Sequence, residues 1–300
     1  MAIFYLLSIT VILVVCSGLL YGDFGGIASH AINATCLELS IVILPLLPGC
    51  FGLRLVRGAI DRTVYRYLGR NAYLSFAFVG RTIHEISHLI LCVLFGHKIV
   101  EARLFSPCMA TGELGHISHS YNPRNVYQSL GNLFIGIAPI MLGPALIIGM
   151  LSLFNGGLDF INRSSMPFLH DSSAAVSMTY WVDFLRALFH WYVQAISPLL
   201  SKGNLTNAWF YIYLLITIGI AGHLSPSLSD IQGAFVGLVY LFLVLISLNA
   251  LVPGLVPEFR NLMTYINFVN NLLLQTLAIN ISLGLLLYCV AVGLRFGERR

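Results

Sequence analysis

The sequence predicts an all-α polytopic membrane protein of about 7–8 transmembrane helices with one small β-hairpin, on three grounds: composition, the spacing of apolar runs, and one polar, turn-rich interruption. Of its 300 residues 58% are hydrophobic and 9% are charged, and the mean hydropathy is +0.86. Water-soluble domains carry about 25% charged residues. Too few charges remain here to cover a water-facing surface, so lipid must be the main solvent. The net charge of +4 is spread over short connecting segments rather than a basic stripe, which argues against a nucleic-acid partner.

A membrane span needs about 20 apolar residues. The runs 2–21, 37–53, 72–95, 127–154, 206–222, 231–252 and 271–294 are candidates, and 175–199 is an eighth. The first run has no basic leader and no small-x-small cleavage site, so it reads as a retained helix rather than a signal peptide. In the eighth, Asp183, Arg186 and His190 interrupt Trp181, Phe184, Phe189, Trp191 and Tyr192, a pattern that equally suits an amphipathic helix at the interface. Between spans, 54–70 sets Arg54, Arg57, Arg62, Arg66 and Arg70 against a single Asp61, and the chain ends on Arg295, Arg299 and Arg300. The positive-inside rule assigns both segments to the cytoplasm. Counting 175–199 as a span reconciles them, with eight spans and both termini inside.

The segment 97–125 is too polar to span. Short alternating stretches flank Pro107 and Gly112, which predicts a β-hairpin directly after the span 72–95. The segment 155–174 reads as a loop. The whole chain, 1–300, is then a single integral membrane domain in the bilayer. Its parts are N-terminal spans and a basic loop (1–70), a motif-bearing helix with hairpin and following span (72–154), and later helices with acidic residues (206–258). The six cysteines, Cys16, Cys36, Cys50, Cys92, Cys108 and Cys289, form no C-x-x-C pair and read as small buried hydrophobes.

Within the span 72–95 stands His84-Glu85-Ile86-Ser87-His88. Residues four apart share a helix face, so both imidazoles can bind one metal ion. Glu85 adjoins the first ligand and can reach a water on that metal. Zinc lowers the pKa of such a water to about 7, and the carboxylate takes its proton. With nine His and six Glu in the chain, chance supplies roughly 0.005 such matches. Two histidines and a glutamate near mid-depth of a span are costly and mark function by default.

A catalytic zinc needs a third protein ligand and one open position. Asp230, at the start of the span 231–252, is the leading candidate, although an Asp there also suits a helix cap. Glu258 and His223 are the alternatives. His116 and His119 lie three apart in the hairpin, on opposite strand faces, and read as surface residues. His30, His97, His170 and His190 read as isolated.

These residues resemble the site-2 protease family of intramembrane zinc metalloproteases. The likeness rests on His84-Glu85-x-x-His88, on Leu94-Phe-Gly-His-Lys-Ile-Val-Glu-Ala-Arg-Leu-Phe-Ser106, and on the stretch from Asn122 to Pro139 that leads into a Gly-Pro-containing helix. Ser229-Asp230-Ile-Gln-Gly233 loosely resembles the family's Leu-Asp-Gly, with Gly three residues later than usual. Leu142 stands where the family has Asn after its Gly-Pro, and Asn249…Pro253…Glu258 resembles the family's lead-in to its Asp. The resemblance covers 72–145 and, more loosely, 223–258. It implies a Zn2+ held by His84, His88 and Asp230, Glu85 as catalytic base, and a membrane protein or peptide as substrate. The alternatives from the residues alone are a non-catalytic metal-binding protein, a metal or ion transporter, and a scaffold with an incidental motif.

Overall fold

The structure is a computed structural model. It describes residues 46–108, 113–154 and 197–251, with short stretches among 31–39, 186–193 and 275–293. Helix α1 (Leu46–Thr63) runs through a five-residue π-helical turn, Val64–Leu68, into α2 (Gly69–Leu94). Gly69 makes the joint at φ +84°. The basic segment 54–70, expected as a connection between spans, is therefore helical. Arg is a good helix former, and Arg57 pairs with Asp61 one turn on at 3.3 Å.

After α2 the chain turns at Gly96, φ +68°, into strands β1 (Lys98–Arg103) and β2 (His116–Ser120). They pair antiparallel, with Ile99 opposite His119 and Arg103 opposite His116, and a bulge between Ile99 and Glu101. The ladder continues through Ser106 N–H to Leu114 O and Cys108 N–H to Glu113 O, both 2.7 Å. The hairpin thus forms where the sequence placed it.

Helix α3 (Val126–Leu151) starts at Asn125, whose side chain accepts the N–H groups of Tyr127 and Gln128. A 3₁₀ turn and a single helical turn (Lys202–Leu205) precede α4 (Ala208–Gly222), capped by Asn207. Last comes α5 (Leu228–Leu251). Each cap satisfies N–H groups that the first helical turn leaves open.

Among the described residues, three helical stretches are long and apolar enough to cross a membrane: Gly52–Leu94, Val126–Leu151 and Leu228–Leu251. They match the expected spans 72–95, 127–154 and 231–252. Helix α4 has 15 residues. That is about 22 Å of helix, short of the ~30 Å hydrocarbon core. Gln275–Val290 is likewise apolar and falls in the same short class. The expected spans 2–21 and most of 175–199 lie outside the described residues, and 37–53 and 271–294 are described only in part.

Helix α3 packs between α2 and α5, and α2 also packs on α4. Small residues let the backbones close in. An added Cβ on Gly80 of α2 would overlap Gly219 O of α4, and one on Gly237 of α5 would overlap the Leu133 backbone of α3. Such approaches suit helix association in lipid, where packing rather than water exclusion drives contact. The principal core gathers Leu53, Ile147, Leu151, Phe210, Ile220 and Leu224. The outer side of α5 exposes Phe235, Val239 and Leu243, as a lipid-facing surface would. Cys36 and Cys92 are buried, as expected, whereas Cys108 on the hairpin and Cys289 are exposed.

Candidate metal centre

Helix α2 buries His84, Glu85 and His88, at 2%, 1% and 5% exposure. Each imidazole is fixed by its Nδ1. His84 Nδ1 lies 2.6 Å from the carbonyl oxygen of His223, and His88 Nδ1 lies 2.7 Å from that of Ile135. A carbonyl only accepts, so both Nδ1 atoms carry the hydrogen. In the neutral rings both Nε2 atoms then bear lone pairs, and they face each other at 3.1 Å. Holding imidazole tautomers by backbone carbonyls is how metal-ligating histidines are oriented.

Both carbonyls are free to accept for reasons of local sequence. Ile135 O, inside α3, would ordinarily accept the N–H four residues on. That residue is Pro139, which has none. His223 follows the end of α4, where terminal carbonyls have no intrahelical partner. Its Nδ1 turns back to Gly219 O at 3.0 Å. His223 therefore serves the site through its backbone, and its ring is not one of the converging donors.

The third donor is Asp230, from α5. Its Oδ2 is 3.6 Å from His84 Nε2, and its Oδ1 is 3.5 Å from His88 Nε2. Asp230 also caps the helix, from the third helical position rather than the N-cap itself. Ser227 N–H donates to Asp230 Oδ2 at 2.6 Å, and Asp230 N–H donates to Ser227 Oγ at 3.2 Å. This reciprocal capping box fixes the carboxylate that the histidines face. Asp230 thus caps the helix and also lies with the two histidines in a group that could hold a metal ion. Gly136 of α3 makes the approach possible, because a Cβ there would overlap Asp230 O.

His84, His88 and Asp230 form the group of side chains among the described residues that could hold a metal ion. The donor set fits. Two imidazole nitrogens and a carboxylate are ordinary zinc ligands, and bonds of 2.0–2.1 Å in a tetrahedron set donors about 3.3–3.4 Å apart. The separations of 3.1, 3.5 and 3.6 Å bracket that value. Facing lone pairs beside a carboxylate repel unless a cation lies among them. Glu258 lies outside the described residues, as do His30 and His170.

Three features escaped the sequence reading. Arg81, one turn before Glu85, sets its Nη2 2.6 Å from Glu85 Oε1 and donates to Gly115 O at 2.7 Å, tying the motif helix to the hairpin. Its signal was the i,i+4 spacing. Asn132 of α3 is buried beside the site, with Nδ2 3.3 Å from Ser129 O. His97 is not isolated, because its Nδ1 lies 3.0 Å from His119 Nδ1 and its ring stacks on Tyr121. A cavity of about 280 Å³ opens over the site, lined by Glu85, His88, Asp230, Asn132 and, from the hairpin, His116 and His119. The two hairpin histidines, read as surface residues, thus form part of its wall. They do not chelate one ion. His116 Nε2 faces Glu101 at 3.2 Å, while burial and the neighbouring His97 and His88 hold His119 below the ordinary imidazole pKa.

No protein-family model, curated protein or solved structure matches the chain.

Proposed function

We propose that the protein is a multi-pass, zinc-dependent intramembrane protease that hydrolyses peptide bonds in or near transmembrane segments. The observation that carries the reading is the convergence of two carbonyl-anchored imidazoles and the Asp230 carboxylate among helices long and apolar enough to cross a membrane. Zinc, when bound there, lowers the pKa of a coordinated water to about 7 and polarises a carbonyl. Glu85 accepts the water's proton and delivers it to the leaving amine. Arg81 holds Glu85 Oε1, and Oε2 has no protein partner among the described residues, which leaves it for that proton. The surrounding helices exclude lipid and order the reactants. A substrate helix hides its carbonyls in its own hydrogen bonds, so it must unwind locally before it can react. The hairpin adjoining the cavity offers strand edges to such an extended segment.

The test pairs metal analysis with a quenched fluorescent peptide carrying a helix-destabilised transmembrane segment. Detergent-purified protein should contain about one zinc per chain. Glu85→Gln should retain the zinc and lose hydrolysis. A metal-free preparation that cannot be loaded, or full activity in Glu85→Gln, refutes the proposal.

A further inference from the structure

An extended peptide lying at the metal centre has a problem that a helix does not. Its backbone N–H groups have lost their own carbonyls and need acceptors from the protein. Two acceptors on the cavity wall serve the metal centre itself. Glu85 is held by Arg81, and Asp230 faces two imidazoles and its capping partner. The hairpin supplies a further one by a chain of forced tautomers. His97 Nε2 lies 2.8 Å from Gln128 O and must carry a hydrogen, because the carbonyl cannot donate. With both rings neutral, His97 Nδ1 is then an acceptor, and His119 Nδ1, 3.0 Å away, is its donor. That leaves the lone pair of His119 on Nε2, which has no hydrogen-bond partner among the described residues.

The chain is rigidly founded. His97 is 6% exposed and stacks on Tyr121 with ring centres 5.2 Å apart. Gln128, whose carbonyl starts the relay, is itself pinned: its side chain donates to Gly96 O at 2.9 Å and accepts Asn122 N–H at 2.8 Å. His119 stands on the wall of the cavity that also holds Glu85, His88 and Asp230.

We propose that His119 is a positioning residue whose Nε2 accepts one backbone N–H of an extended peptide lying across the metal centre, with His97 fixing the tautomer that makes this possible. The inference rests on the protease reading above, and its test separates the two. The zinc-loaded full-length protein in detergent is titrated with three probes: acetohydroxamate, a peptidyl hydroxamate, and the same peptidyl hydroxamate N-methylated at one amide at a time. In the wild type, one N-methylated position should cost about ten-fold in affinity, the size of one hydrogen bond. His119→Phe should erase that penalty while zinc content and acetohydroxamate affinity stay at the wild-type level. His119→Gln, which keeps an acceptor, should restore most of it. His97→Phe, which keeps a ring against Tyr121 but removes the acceptor, should weaken it.

A penalty that survives in His119→Phe overturns the assignment. So does loss of zinc or of acetohydroxamate binding in every His119 variant, since that marks a structural role. A wild-type protein that holds zinc and binds acetohydroxamate but shows no N-methyl penalty sinks this inference alone. Failure to hold zinc sinks the protease reading and the inference with it.

Discussion

Pro139→Ala should make the protein at least as stable and yet a poorer metal binder. Inside α3 the proline removes one i to i−4 hydrogen bond and leaves Ile135 O to His88 Nδ1, 2.7 Å away. Alanine restores the missing N–H, which competes for that oxygen. In a helix interior the exchange favours alanine by roughly 3 kcal/mol in host systems. The opposing effect falls on His88. A carbonyl shared with the helix holds the imidazole less firmly, and losing an outer hydrogen-bond partner of a metal-ligating histidine costs roughly 10–100-fold in affinity. Because Ile135 O is shared and not removed, the lower end of that range applies. Zinc affinity by competition with a chromophoric chelator, and thermal unfolding of the metal-free protein in detergent, read the two effects separately. Unchanged affinity would show that the freed carbonyl does not orient His88. Stability and affinity falling together would show that the packing of the proline ring, not its missing N–H, is what the site requires.

Two further outcomes follow from the packing. Gly80→Ala would put a methyl 2.6 Å from His223 Nδ1 and closer still to Gly219 O. Helix α4 must then retreat by roughly 1.5 Å to bring Gly219 O to ordinary contact, at a cost of ~1–3 kcal/mol or more for overpacking, and His223 O moves away from His84. Both melting temperature and zinc affinity should fall, whereas Gly149→Ala, where nothing lies within 4 Å, should change neither. Asp230→Asn should weaken zinc binding by more than the roughly 100-fold limit of an outer-partner loss, and Glu258→Gln should leave it intact. Isothermal titration of both variants distinguishes the two carboxylates, and the reverse ranking would transfer the third ligand to Glu258.

The parts legible in the sequence were those with a short period. His84, Glu85 and His88 lie within one helical turn, so their common site follows from 3.6 residues per turn alone. The hairpin was legible because alternation and turn residues fall within about twenty residues. Asp230 was legible as a candidate and not as a choice. Its approach to the histidines depends on α3 and α5 closing at Gly136 and Gly237, contacts between helices about a hundred residues apart in the chain. The His97–His119 pair was missed for a different reason. Spacing within β2 speaks only to whether His116 and His119 share a face, while the partner of His119 is His97, which follows the Gly96 turn and faces it across the hairpin. The segment 54–70 is helical where a loop is expected, because positive charge reports orientation and says nothing against helix.

The two histidines also show why the site needs irregular helices around a regular one. In the apolar interior of a bundle nearly every carbonyl is spent on its own helix, and an imidazole offered to such a wall finds no acceptor for Nδ1. Without one, the ring is free to turn, and its second nitrogen no longer points at a fixed place. Here α3 breaks its ladder at Pro139 and α4 ends at His223, and each break lies opposite one imidazole of α2. The metal-binding pattern on α2 is therefore only half of the code. The other half is a proline four residues after one carbonyl and a helix terminus at the other, and both must fall at the depth of His84 and His88 for Nε2 of each ring to face the Asp230 carboxylate.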